Sequence, residues 1–186
     1  MSALSRLGST VIDELKHVLE LIDDEEFCAA ADLIEEASRI FVIGVGREGL
    51  AARAFAMRLM HLGFEVHIGW DDTTPSVGPG DVLVMVNGSG QIGHLDYVFS
   101  KVVITGARTL VVTGVPEAET PRLATRVLSI PATVYLGKGD LVASVQPMGS
   151  LFEQSALIVF DLIILEIIDR QNITFSDMSR RHRNFE

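Results

Sequence analysis

Two glycine turns constrain the fold of this chain more than any other feature of its sequence. The apolar run 39–44 leads into Gly44-Val45-Gly46, and the run 81–86 leads into Asn87-Gly88-Ser89-Gly90. Continuous apolar runs of this length are typical of parallel strands that are covered on both faces. Because helical spacing follows each turn, the pattern predicts strand–turn–helix units of an α/β sheet.

The remaining predicted elements complete an alternating order. Further strands are predicted at 65–68, 108–113 and 126–130, and helices at 11–22, 24–37, 50–62, 93–105 and 148–170, with a short polar helix at the C-terminus. Such alternation predicts a parallel sheet with right-handed crossovers. We therefore expect an α/β fold, a three-layer αβα sandwich with a five-stranded parallel sheet in the flavodoxin-like order 2-1-3-4-5. In this order the two glycine turns lie side by side at the carboxyl edge of the sheet, where ligands bind.

Length predicts a single domain, since 186 residues are enough for one sizeable core. Within it we expect N-terminal helices at 1–37, the α/β core at 38–170 and a C-terminal helix and tail at 171–186. Hydrophobic residues make up 48% of the chain. Such a high fraction on a short chain, with an apolar 148–170 helix, predicts a homo-oligomer, a dimer or a tetramer.

Charge and cysteine content exclude several classes of protein. The net charge is −10, which disfavours nucleic acid and acidic membrane surfaces as partners. The apolar stretch 151–168 contains Glu153, Asp161 and Glu166, and each would cost about 2.5–3.5 kcal/mol inside a bilayer. A buried helix is therefore expected there. Cys28 is the single cysteine, so we expect no intrachain disulfide and a cytoplasmic location.

The two turns favour an anionic ligand. Both direct backbone N–H groups and the positive end of a helix at one crevice, which suits a phosphate group. Two other interpretations stay open on this pattern alone. Residues 44–49 also satisfy G-x-G-x-x-G, with Asp71 and Asp72 in place of a ribose-binding acid, so a dinucleotide is a second candidate. The third interpretation is that the turns are only tight connections with no ligand.

Longer strings resemble one known family over nearly the whole chain. They are MRLMHLG at 57–63 and PMGSLFE at 147–153, supported by segments 44–50, 73–75, 88–90 and the terminal 181–186. The chain resembles the sugar isomerase (SIS) domain family, and within it the 6-phospho-3-hexuloisomerases. The resemblance implies conversion of a 3-keto hexulose phosphate to fructose 6-phosphate through an enediol, with no cofactor and no metal.

The resemblance also implies roles for individual residues. Glu153 is expected to be the catalytic base, and His61 a second acid–base group that serves its own pocket or that of a neighbouring subunit. Arg47 is expected to pair with the substrate phosphate. The full set of expected substrate-binding residues is Gly46, Arg47, Glu48, Asn87, Gly88, Ser89, Gly90, Gln91 and Ser150.

The turns themselves depart from the family pattern. Glu48 and Asn87 stand where the family has serines, Gln91 replaces a glutamate and Ile92 replaces a threonine. Each hydrogen bond lost to a charged group costs about 1.5–3 kcal/mol. Glu48 also adds repulsion, unless its side chain turns outward or pairs with Arg47 or Arg53. These changes motivate a second hypothesis beside the isomerase: a SIS-type protein that binds an altered carbohydrate derivative, one without a phosphate or with an amine, and does not isomerise it.

Overall fold

The computed structural model describes residues 2–135 and 141–184, and it forms an alternating α/β domain. The last two residues of the terminal segment 181–186 lie outside this description. The strands are β1 (Ile40–Ile43), β2 (Val66–Ile68), β3 (Val82–Val86), β4 (Arg108–Thr113) and β5 (Arg126–Ser129). The helices are α1 (Ala3–Glu20), α2 (Asp24–Glu35), α3 (Gly46–Leu62), α4 (Gly93–Val103), α5 (Glu119–Arg122), α6 (Ser150–Gln171) and α7 (Phe175–Arg181).

All five strands are parallel and follow the order β2-β1-β3-β4-β5. Ile40 of β1 lies opposite Val66 on one side and Val82 on the other. The predicted sheet order 2-1-3-4-5 is therefore confirmed. Since β1 and β3 are neighbours, the turns that follow them meet at the carboxyl edge of the sheet.

Alternate strand residues face two separate apolar layers. Ile40 and Val42 pack into the larger cluster, together with side chains of α2, α3 and α6, whereas Phe41 and Ile43 pack into a smaller cluster with α4. The two-residue period of a strand places successive side chains on opposite faces. This distribution confirms the three-layer αβα sandwich.

Helix α6 lies beside α3 and runs in the same direction. Near their N-termini Arg47 contacts Glu153, and in the middle the rings of Phe55 and Phe160 stack with centroids 4.3 Å apart. The buried face of α6 accounts for the apolar sequence at 151–168. Among residues 2–135 and 141–184, no helix is long and apolar enough to cross a membrane.

Two helix starts and one short helix differ most from the sequence expectation. Helix α1 begins at Ala3 rather than near residue 11, because the Ser2 side chain caps it by accepting from Ser5 N. Its first turns bury little apolar surface, so hydrophobic periodicity does not reveal them. Helix α3 begins at Gly46 rather than at residue 50, and the four-residue α5 was not predicted.

Candidate active site

The first glycine turn joins β1 directly to α3. A Cβ atom on Gly49 would lie 2.8 Å from the carbonyl oxygen of Gly44, so helix and turn approach too closely for any other residue at Gly49. Gly46 has φ +55°, a left-handed conformation that favours glycine. The carbonyl oxygen of Gly44 accepts from Trp70 Nε1 at 3.0 Å. The first turn is therefore a fixed backbone loop at the start of a helix.

The second turn is hydrogen-bonded to the end of the neighbouring strand β4. The carbonyl oxygen of Gly88 accepts from Thr113 Oγ1 at 3.1 Å and from Gly114 N at 2.9 Å. Gly90 has φ +69°, and a Cβ atom there would lie 2.4 Å from the Cβ of Ala118. The backbone of this turn is thus fixed on one side by β4 and on the other by the segment before α5.

Glu48 joins the two turns. Its side chain reaches from α3 to the second turn, where Oε2 accepts from Gly88 N at 3.1 Å. The fit is close, since a Cβ on Gly88 would lie 2.5 Å from Glu48 Oε1 and 3.0 Å from the ring of Phe152. Of the possibilities left open by the sequence, Glu48 neither turns outward nor pairs with an arginine. Its carboxylate accepts the hydrogen bond of Gly88 N, a backbone group that was expected from the sequence to bind the anion of a ligand.

Burial gives Glu48 an unusual affinity for protons. Removal from water and, to a smaller extent, the charge of Glu153 raise the pKa of Glu48, while the Gly88 hydrogen bond lowers it, and the net result is a pKa of about 7. Near neutral pH this side chain therefore exists both as a carboxylate and as an acid.

Glu153 lies at the start of α6, at the same edge of the sheet. Its carboxylate accepts from Nε of Arg47, which projects from the first turn of α3. The Glu153 side chain is 16% exposed and that of Arg47 is 61% exposed, so the arginine is open to solvent while the carboxylate is largely covered. Ser150, the first residue of α6, is half-buried nearby in sequence and follows the N-cap Gly149.

The predicted ligand-binding side chains of the second turn differ in their accessibility. Asn87 is fully buried, and its Nδ2 donates to Asp96 Oδ1 at 3.3 Å. That same oxygen accepts from Thr120 Oγ1 at 2.7 Å, while Asn87 Oδ1 finds no hydrogen-bond partner among the described residues. Ser89 is half-buried and Gln91 is exposed. The Asn87 side-chain amide therefore donates within the protein, to an Asp96 carboxylate that Thr120 also holds. Neither Asp96 nor Thr120 was identified from the sequence as part of the site.

His61 lies at the opposite end of α3 from Arg47, about 21 Å away at 1.5 Å per residue. Its side chain is 3% exposed, and its ring stacks on His182 with centroids 5.1 Å apart. Arg58 Nη1 lies 3.4 Å from His61 Nδ1, and Arg181 Nη1 donates to the His61 carbonyl oxygen at 3.2 Å.

A separate cavity of about 670 Å³ lies at this end of the molecule, lined by side chains of α3, α6 and α7 that include His61. The structure therefore does not bring His61 to Glu153 within one chain. In the part of the chain that the structure describes, no three His, Cys, Asp or Glu side chains lie close enough together to hold a metal ion.

Comparisons with known proteins relate this geometry to one family. The SIS domain family model matches residues 33–158. The 3-hexulose-6-phosphate isomerase of Bacillus subtilis is 33% identical over 176 residues, which cover 95% of each chain. The 3-hexulose-6-phosphate isomerase of Methanocaldococcus jannaschii is 38% identical over 153 residues, covering 82% of this chain and 80% of its own. A crystal structure from Methanococcus jannaschii, for which that isomerase function was inferred, has a TM-score of 0.84 at 30% identity and covers 96% of this chain and 98% of that one.

Proposed function

The chain belongs to the SIS domain family, and we propose that it is a sugar-phosphate isomerase that converts 3-hexulose 6-phosphate to fructose 6-phosphate. The observation that carries the proposal is the meeting of Glu153, Arg47 and both glycine turns at the carboxyl edge of the sheet. Relatives named 3-hexulose-6-phosphate isomerase match most of the chain, which supports this substrate over a dinucleotide.

The proposed reaction moves one proton at each of two adjacent carbons and one at each of their oxygens. A base removes the proton from C2, the C–H electron pair forms the C2=C3 bond of an enediol, and the C3 carbonyl oxygen gains a proton. Return of a proton to C3 and loss of the proton from the C2 hydroxyl then give the 2-ketose. We assign Glu153 as the base at carbon. Its carboxylate is held by Arg47, and the exposure of that arginine supports its proposed contact with the phosphate.

Replacement of the base tests this assignment directly. Glu153→Gln is expected to lower the isomerisation rate by about 10²–10⁴-fold, the usual contribution of a general base. Glu20→Gln, at an exposed carboxylate of α1, is the matched control and should keep the full rate. Circular dichroism and the melting temperature verify that both variants fold. Full activity of Glu153→Gln would show that another group removes the proton.

Glu48 favours a second candidate function, binding of a sugar derivative without a phosphate and without isomerisation. Its carboxylate already accepts the Gly88 N–H, and Ile92 leaves the start of α4 without a side-chain cap. A thermal-shift comparison of free and phosphorylated hexoses distinguishes the two candidates. Under this second function, the double variant Glu48→Ser with Ile92→Thr gains affinity for phosphosugars, whereas the parent responds only to unphosphorylated ones.

Assembly is part of the proposal, because His61 and Glu153 lie at opposite ends of α3 and α6. Exposed apolar side chains on these helices, Leu50 (66%), Leu157 (40%) and Leu165 (56%), support burial against another copy of the chain. We propose a dimer or tetramer in which His61 of one subunit serves the site of its neighbour. Light scattering measures the molar mass in solution, and a monomer at micromolar concentration would contradict the proposed dimer or tetramer.

Mixed variants test whether the site is shared. Inactive Glu153→Gln and His61→Ala proteins, unfolded and refolded together, should recover part of the activity if each supplies what the other lacks. No recovery of activity in a mixture that forms hybrid oligomers would place His61 outside the neighbour's site.

A cytoplasmic role in carbohydrate metabolism completes the proposal, consistent with the exposed free thiol of Cys28.

A further inference from the structure

The carboxylate of Glu48 lies where the second turn offers its backbone N–H to a ligand. Oε2 accepts from Gly88 N at 3.1 Å, and Oε1 lies only 2.5 Å from where a Cβ of residue 88 would stand. An anion is therefore already bound to this N–H, and it belongs to the protein. A phosphate oxygen that is to accept the same hydrogen must displace it.

We infer that Glu48 determines which ligands the second turn accepts, because a phosphate ester takes the Gly88 N–H only in molecules whose Glu48 has bound a proton. The inference rests on the proposed function, since it assumes a phosphosugar at this turn. It assigns Glu48 a role in specificity, separate from the proton transfer at carbon that is proposed for Glu153.

The groups around Glu48 explain why the proton matters. Glu153 approaches from α6 with like charge, and Arg47, the residue before Glu48 on α3, is paired with Glu153. From the β3–α4 connection Glu48 meets the Gly88 N–H, and the ring of Phe152 adds an apolar neighbour. A phosphate dianion placed beside a charged Glu48 would thus face two carboxylates and one arginine. Protonation of Glu48 removes one of these negative charges and supplies an O–H donor.

The pKa of Glu48 sets how strongly the affinity for a phosphosugar should depend on pH. The pKa of Glu48 is about 7, so about half of the molecules carry the proton at pH 7, about one in ten at pH 8 and about one in a hundred at pH 9. The apparent dissociation constant is divided by the competent fraction. Affinity for a phosphosugar should therefore fall about fivefold from pH 7 to pH 8 and about tenfold from pH 8 to pH 9. The phosphate is already a dianion in this range, since its second pKa is about 6.

Calorimetric titration with fructose 6-phosphate at pH 7, 8 and 9 tests the inference. Sulfate, whose charge is constant over this range, is the second probe. Two buffers of different ionisation enthalpy at pH 8 give the number of protons taken up on binding. We expect the stated loss of affinity for both anions, uptake of about 0.9 proton at pH 8, and no pH dependence in Glu48→Gln. That variant should bind about tenfold more tightly than the parent at pH 8.

The outcomes separate this inference from the proposed function. The role of Glu48 is overturned if the parent binds anions with the same affinity at all three pH values, or if the affinity of Glu48→Gln falls with pH as that of the parent does. Either result holds whatever the isomerase assay shows. The expected fall of affinity with pH and the expected proton uptake support the role of Glu48 even in a preparation without isomerase activity. In that case only the proposed reaction is wrong. Glu48→Ser repeats the test with a smaller side chain if the glutamine variant does not fold, and Glu20→Gln should keep the slope of the parent.

Discussion

Replacement of Glu48 by glutamine should stabilise the folded protein in a strongly pH-dependent way. Glutamine keeps the shape of the side chain and an oxygen that accepts from Gly88 N, but it carries no charge at any pH. In the parent, burial and the charge of Glu153 raise the pKa of Glu48 from 4.5 to about 7. The substitution therefore removes a charge that folding makes unfavourable.

The sign and size of the effect follow from proton binding. Between pH 4.5 and pH 7 the folded state holds the Glu48 proton while the unfolded chain has lost it. The free energy of unfolding therefore decreases as the pH rises through this range. The decrease is complete above pH 7 and amounts to about 3 kcal/mol, at 1.36 kcal/mol for each unit of pKa. Glu48→Gln avoids this loss, so its advantage should be small at pH 5 and about 3 kcal/mol at pH 8.

Thermal unfolding of both proteins at pH 5 and pH 8, at one protein concentration, measures the effect. At about 2–4 °C per kcal/mol for a chain of this size, the variant should melt about 6–12 °C above the parent at pH 8. At pH 5 we expect a difference of no more than about 3 °C. Equal differences at the two pH values would refute the reasoning, since a general packing effect has no such dependence. Glu20→Gln is the control for loss of an exposed carboxylate.

Three further substitutions test other parts of the fold. Gly90→Ala should lower the free energy of unfolding by at least about 1–2 kcal/mol in urea, because of its left-handed backbone and the close approach of Ala118. Burial works to raise the pKa of Asp81, but its hydrogen bonds from Arg39 and Gly78 hold that pKa below its ordinary value. Asp81→Asn should cost about 3 kcal/mol near neutral pH, and parent and variant should converge as the pH falls through the lowered pKa. Thr174→Ala removes the capping box of α7, and faster amide exchange confined to that helix should report a loss of about 1 kcal/mol.

The centre of the sheet was predictable because burial on both faces leaves a continuous apolar pattern in β1 and β3. The turns were predictable as well, since glycines such as Gly46 and Gly90 mark positive φ at the ends of β1 and β3. The first two turns of α1 were not, because their apolar side chains, including Leu4 and Leu7, remain exposed and show no core-facing pattern.

The site was predictable in its residues but not in its contacts. The sequence identified Glu48 as a carboxylate near the anion-binding turns, but it left the direction of its side chain open. That direction depends on Gly88, forty residues later, and on the space beside Phe152. The bonds from Asn87 and Thr120 to Asp96 likewise join segments that only the folded sheet brings together.

The parallel pair of helices α3 and α6 has a consequence for genetics. One chain presents Glu153 at one end of the pair and His61 at the other, so a symmetric assembly with shared sites gives each chain a part in two of them. A chain that lacks Glu153 alone would inactivate one site, whereas a chain that lacks both groups would inactivate two. Co-expressed with the wild type, the double variant would then be the more strongly dominant allele, although neither protein is active by itself.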